Sequence, residues 1–177
     1  MRGTRPFHAQ RYSRGAIFFH WTIALLVLVN LWIGLVGGSM GVHKAVGITV
    51  LVLTAGRIAW RIANPPPPLP AFVAGWERLA ASWTHRLFYI LLVVLPLSGW
   101  AMASGAKRYP LDWFGLFPIP YLPITPAVAG AGHEVHEIVG FLMAGLVALH
   151  VGAALRHQFL LRDGIVSRML PGGRRAR

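Results

Sequence analysis

HEIVGFLMAGLVALH, residues 136–150, decides the fold. It begins and ends on histidine, and everything between except Glu137 is apolar or glycine. Fourteen residues of α-helix make nearly four full turns and rise ~21 Å, so His136 and His150 share one helix face at two depths. Ionisable side chains inside a membrane are costly and by default mark a functional site. Two histidines stacked on one face, directed into a bundle, are the ligands that two haems at different membrane depths require.

Outward from that segment the chain remains apolar. Its 177 residues are 55% hydrophobic and only 12% charged, too apolar for an ordinary soluble domain. Four apolar stretches, at about 17–37, 42–62, 87–104 and 137–159, each approach the ~20 residues that cross a bilayer. The expected fold is all-α: one four-helix transmembrane bundle forming a single domain over 1–177. The first stretch is longer than the ~7–15 residues of a signal-peptide core, so an uncleaved helix is expected.

Charge sets the orientation. Arg2, Arg5, Arg11 and Arg14 precede the first stretch. Arg57, Arg61, Arg78 and Arg86 flank the loop between the second and third, and six arginines follow residue 155. Only Lys44, Lys107 and Arg108 fall on the other side. The positive-inside rule then places both termini in the cytoplasm. This topology also accounts for the net charge of +12 without nucleic acid as a partner; the partners expected are lipid and a quinone. The absence of cysteine excludes covalent c-type haem, cysteine-ligated clusters and disulfides.

Between the helices, NPPPPLP at 64–70 reads as a stiff extended connector. FVAGWERLAASW at 72–83 reads as a short interfacial helix. The proline-rich stretch 107–132 reads as an irregular loop over the outer surface, with Tyr109, Trp113, Phe114, Phe117 and Tyr121 at the lipid boundary.

With this topology each histidine has a depth. His43 and His136 match near the periplasmic side, and His20 and His150 match near the cytoplasmic side. Bis-histidine ligation needs neutral imidazoles facing each other across a flat macrocycle, and these pairs supply it at two levels. His85 shares the cytoplasmic level, so either His20 or His85 can oppose His150. His20 is preferred because helix one is expected beside helix four. His85 and His157 are then free to serve a quinone headgroup by hydrogen bonding or proton transfer. Gly47 and Gly140 each lie four residues after a periplasmic histidine, where a missing side chain admits a porphyrin. Arg57, fourteen residues after His43, falls at the inner haem level, where it can pair with a propionate.

The chain resembles the bacterial cytochrome b561 family of small dihaem membrane cytochromes. The residues that carry the resemblance are YSRGAIFFHW at 12–21, VHKAVG at 42–47, WTHRLFY at 83–89, HEIVG at 136–140 and LHVGAALRHQF at 149–159. Arg162, Asp163 and RMLP at 168–171 complete the set. The resemblance implies two haems b, one ligated by His20 and His150 and the other by His43 and His136. It also implies electron transfer between the periplasmic face and the quinone pool. The family includes enzymes that oxidise superoxide and reduce ubiquinone, so a superoxide:ubiquinone oxidoreductase is the expected activity. For such a substrate Lys44, Lys107 and Arg108 would form a cationic funnel at the outer face. His133, one turn before His136, matches no family role. The alternatives are an electron-transfer subunit serving a periplasmic dehydrogenase, and a non-redox transporter or assembly protein.

Overall fold

The computed structural model describes residues 11–106 and 110–172. In chain order it has α1 (Arg14–Val36), α2 (Met40–Ala63), α3 (Gly75–Ala106), β1 (Asp112–Trp113), β2 (Phe117–Pro118) and α4 (Pro126–Leu155). A π-helical turn (Arg156–Leu161) and a 3₁₀ turn (Val166–Met169) follow. All four α-helices are long and apolar enough to cross a membrane. Leu25, Trp32, Val52, Phe141, Leu142 and Leu149 point outward, a surface suited to lipid, where helices satisfy their own backbone groups.

Local chemistry sets the helix starts. The hydroxyls of Ser13, Ser39 and Thr125 accept from the backbone N–H groups of Ala16, Val42 and Val128 at 3.3–3.4 Å, the usual N-cap arrangement. Only Gly37, Gly38 and Ser39 separate α1 from α2. Gly37 has φ +116°, a conformation that residues with a Cβ seldom adopt.

Two boundaries differ from the sequence expectation. The segment expected as a separate interfacial helix is continuous with the third membrane helix, and α3 runs ~48 Å at 1.5 Å per residue. No proline or glycine interrupts it between Trp76 and Leu95. The fourth helix starts at Pro126, inside the stretch expected to be irregular. Proline at the first helical position has no N–H to leave unpaired, and Thr125 caps it. Pro126 therefore opens a helix instead of breaking one.

α4 packs chiefly on α3, α1 on α2, and α2 on α3, whereas α1 and α4 share little close backbone contact. α1 and α4 face each other through side chains, His20 against His150, rather than in close backbone contact. The core of Ile23, Val46, Val50, Leu91, Leu92, Met143 and Leu146 lies along each helix between the two histidine levels.

Both ends are closed by folded chain. At the end opposite the termini, Asp112–Trp113 pairs antiparallel with Phe117–Pro118. Trp113 donates to the Thr49 hydroxyl at 3.0 Å and stacks on Phe117, while the Lys44 ammonium donates to the Pro110 carbonyl at 2.9 Å. At the termini end Arg168 is buried. It donates to the carbonyls of Pro67 and Pro68 at 3.4 and 2.9 Å and lies over the Tyr12 ring. Trp21 donates to the Met169 carbonyl at 2.7 Å, and Arg11 to that of Leu170. The polyproline connector is thus clasped between the N-terminal and C-terminal segments.

Candidate haem site

At the loop end the rings of His43 and His136 stand 5.9 Å apart, centroid to centroid, at 82°. They reach each other from α2 and α4. The His136 Nδ1 lies 2.9 Å from the Leu95 carbonyl oxygen and 3.4 Å from the Ser98 hydroxyl. A carbonyl can only accept, so Nδ1 carries the proton and Nε2 keeps its lone pair for a metal. The Nδ1 of His43 is buried without a hydrogen-bond partner.

At the termini end three histidines converge. His20 and His85 have ring centroids 6.3 and 5.8 Å from that of His150, and Phe88 lies edge-on to His150 at 5.3 Å. The Arg57 guanidinium nitrogen is 3.5 Å from the His20 Nδ1. Arg57 and Arg61 both lie over the Tyr89 ring, at 5.5 and 5.7 Å. The ion pairs among the described residues, Arg156–Glu77 and His157–Asp163, involve neither of these arginines.

These residues fit a haem. Among the described residues no cluster of three or more histidines and carboxylates is arranged to hold a metal ion unaided. Paired imidazoles would suit a metal that is already held in a porphyrin. With metal–nitrogen bonds of roughly 2 Å, two imidazoles on opposite sides of one metal have centroids roughly 6 Å apart, close to the separations seen. Glycines make room beside the rings. A Cβ on Gly34 would meet the His43 Cε1 at 3.1 Å, and one on Gly99 would meet the His136 Cε1 at 2.9 Å.

The other residues singled out in the sequence divide as follows. Gly47 and Gly140 are open, with the nearest atom to an added Cβ at 3.8 Å (Asn30) and 4.0 Å (Leu95). Lys44 is tied to the outer loop through Pro110. Lys107 and Arg108 lie outside the described residues. His157 leaves the histidine cluster and pairs with Asp163 at 2.5 Å, and His133 is exposed. Gly34, Gly99 and Ser98, which frame the loop-end rings, were not among the residues chosen from sequence. Their signal was available: Gly34 follows His20, and Gly99 follows His85, by the same fourteen residues that separate His136 from His150.

Residues 11–172 match the family model described as prokaryotic cytochrome b561. The chain is 32% identical to "Cytochrome b561 homolog 2" of Escherichia coli (strain K12), over 91% of this chain and 92% of that protein. It is 31% identical to "Cytochrome b561 homolog 1" of the same organism, over 91% and 97%. Its identity to "Probable superoxide oxidase CybB" of Yersinia pestis is 28%, over 92% and 97%.

Proposed function

The chain belongs to the prokaryotic cytochrome b561 family of haem b electron-transfer membrane proteins, and from that premise we propose that it holds two haems b and passes single electrons from superoxide at the periplasmic face to ubiquinone near the cytoplasmic face. The observation that carries this reading is the presence of facing imidazoles at two levels, His43 with His136 and His20 with His150. The apolar core between them supplies a low-dielectric sheath. Bound there, the haem irons supply the one-electron chemistry.

The protein's own groups ligate, orient and attract. His43 and His136 ligate the outer haem, and the Leu95 carbonyl fixes the tautomer of His136. His20 and His150 ligate the inner haem. α4 packs directly on α3, and a macrocycle needs its two ligand helices held apart, which favours His20 over His85 as the partner of His150. Arg57 pairs with an inner propionate. His85 and His157 serve the quinone headgroup by hydrogen bonding and proton delivery, His157 being held by Asp163. The basic residues at the termini end support a cytoplasmic location for that end. Lys44, Lys107 and Arg108 draw the superoxide anion to the opposite face. Each superoxide loses one electron and leaves as dioxygen; two electrons and two protons convert ubiquinone to ubiquinol.

Superoxide as donor is supported by the likeness to a protein named as a probable superoxide oxidase. The test is to mix the purified, oxidised holoprotein with superoxide and follow the haem α-band, with and without ubiquinone. The band of reduced haem grows and then decays when ubiquinone is present. A protein reduced by dithionite but not by superoxide overturns the donor assignment and points to service for a periplasmic dehydrogenase.

A further inference from the structure

All four helices carry one register. Fourteen residues separate His20 from Gly34 on α1, His43 from Arg57 on α2, His85 from Gly99 on α3 and His136 from His150 on α4. Each pair therefore lies on one helix face, and the four faces meet. At the loop end Gly34 backs His43 and Gly99 backs His136. At the termini end Arg57 lies against His20, and His85 against His150. The first set is two glycines and two histidines, with no charge. The second is three histidines and a guanidinium.

We propose that this inequality fixes the direction of electron transfer: Arg57 makes the inner haem the stronger oxidant of the two. The proposal rests on the two-haem reading above. Reduction adds one negative charge to a haem iron. A fixed cation in the low-dielectric interior stabilises that charge. Arg61, beside Arg57 over Tyr89, is exposed and screened by solvent, so Arg57 carries the effect. At the loop end the charged groups among the described residues, Lys44, Asp112, Glu134 and Glu137, are of mixed sign and lie toward the surface, where solvent and salt screen them. Propionates bring the same charge to both levels, so they leave the difference in place.

The ligands reinforce it. His136 donates from Nδ1 to the Leu95 carbonyl at 2.9 Å, which makes the imidazole more basic and stabilises the oxidised iron. This lowers the outer potential relative to the inner one. With haems held by His43 and His136 and by His20 and His150, electron transfer from the outer to the inner group would then run downhill. Superoxide supplies that electron on one side and ubiquinone removes it on the other.

Potentiometric titration of the purified holoprotein, read at the α-band, tests this, with haem content measured on every variant. Wild type gives two one-electron waves. His43→Ala removes the outer haem, and the remaining wave coincides with the higher wave of wild type. Arg57→Gln moves the higher wave down and leaves the lower one in place, whereas Arg57→Lys largely restores it. A remaining wave in His43→Ala that matches the lower wild-type wave overturns the proposal. So does an Arg57→Gln protein whose higher wave has not moved. If Arg57→Gln fails to assemble, the His43→Ala comparison decides alone. Failure of the two-haem reading is distinguishable, because it appears as a wrong haem content before any potentials are compared.

Discussion

The Leu95 carbonyl oxygen lies 2.9 Å from the His136 Nδ1, so a backbone group of α3 orients a ring carried by α4. Four residues further along α3, Gly99 lets the Nδ1–Cε1 edge of that ring come close to the helix. In Gly99→Ala the new Cβ would meet ring atoms at 2.9–3.0 Å, a distance at which the ring must shift. Such overpacking costs about 1–3 kcal/mol. The variant is expected to lose the outer haem and keep the inner one, as read by pyridine haemochrome content. Full haem content with an unchanged low-spin spectrum would show that the ring has room this structure does not give it.

Gly47→Ala and Gly140→Ala separate the protein's needs from the cofactor's. An added Cβ there meets nothing closer than 3.8 and 4.0 Å, so the helices should pack as before. If the porphyrin passes over these glycines, haem affinity falls while the apoprotein's thermal unfolding is unchanged. Equal haem retention in both variants would place the macrocycle elsewhere on α2 and α4.

His85 has the shorter ring separation from His150, 5.8 Å against 6.3 Å for His20. The proposed ligation follows helix spacing instead. His20→Ala or His150→Ala should remove the inner haem. His85→Ala should retain two haems and at most slow the reoxidation of reduced protein by ubiquinone. Loss of a haem in His85→Ala, with both retained in His20→Ala, reverses the assignment.

Charge reversal at Lys44 and Lys107 tests the outer funnel. Stopped-flow reduction by superoxide should slow at low salt, and the difference should shrink at high salt as screening shortens. Reoxidation by quinone, at the other face, should not change. Lys44 also holds Pro110, so Lys44→Gln serves as the control: it removes the charge and keeps a donor for the carbonyl. A superoxide rate at low salt that ignores both reversals rejects the funnel.

The number of membrane helices was legible in the sequence because hydrocarbon thickness fixes the length of an apolar run. The histidine levels were legible because fourteen residues return a helix to one face. The same arithmetic applied to glycine would have found Gly34 and Gly99, yet a glycine carries no chemistry to draw the eye, and its role appears only against a neighbouring ring. The start of α4 was hidden because Pro126 closes a proline-rich stretch and opens a helix with the same φ. The shared level of His85 and His150 was legible, but not that α3 is α4's main packing partner, since depth along a helix says nothing about which helices are neighbours. The Trp113–Thr49 and Arg168–Pro68 contacts join residues 64 and 100 positions apart, and no local pattern encodes them.

α1 pairs with α2, α4 pairs with α3, and α1 meets α4 mainly through side chains. α2 packs on α3 as well, so the two helix pairs share a backbone seam on that side. The side between α1 and α4, which lacks that close contact, is where a flat group could enter without parting helix backbones.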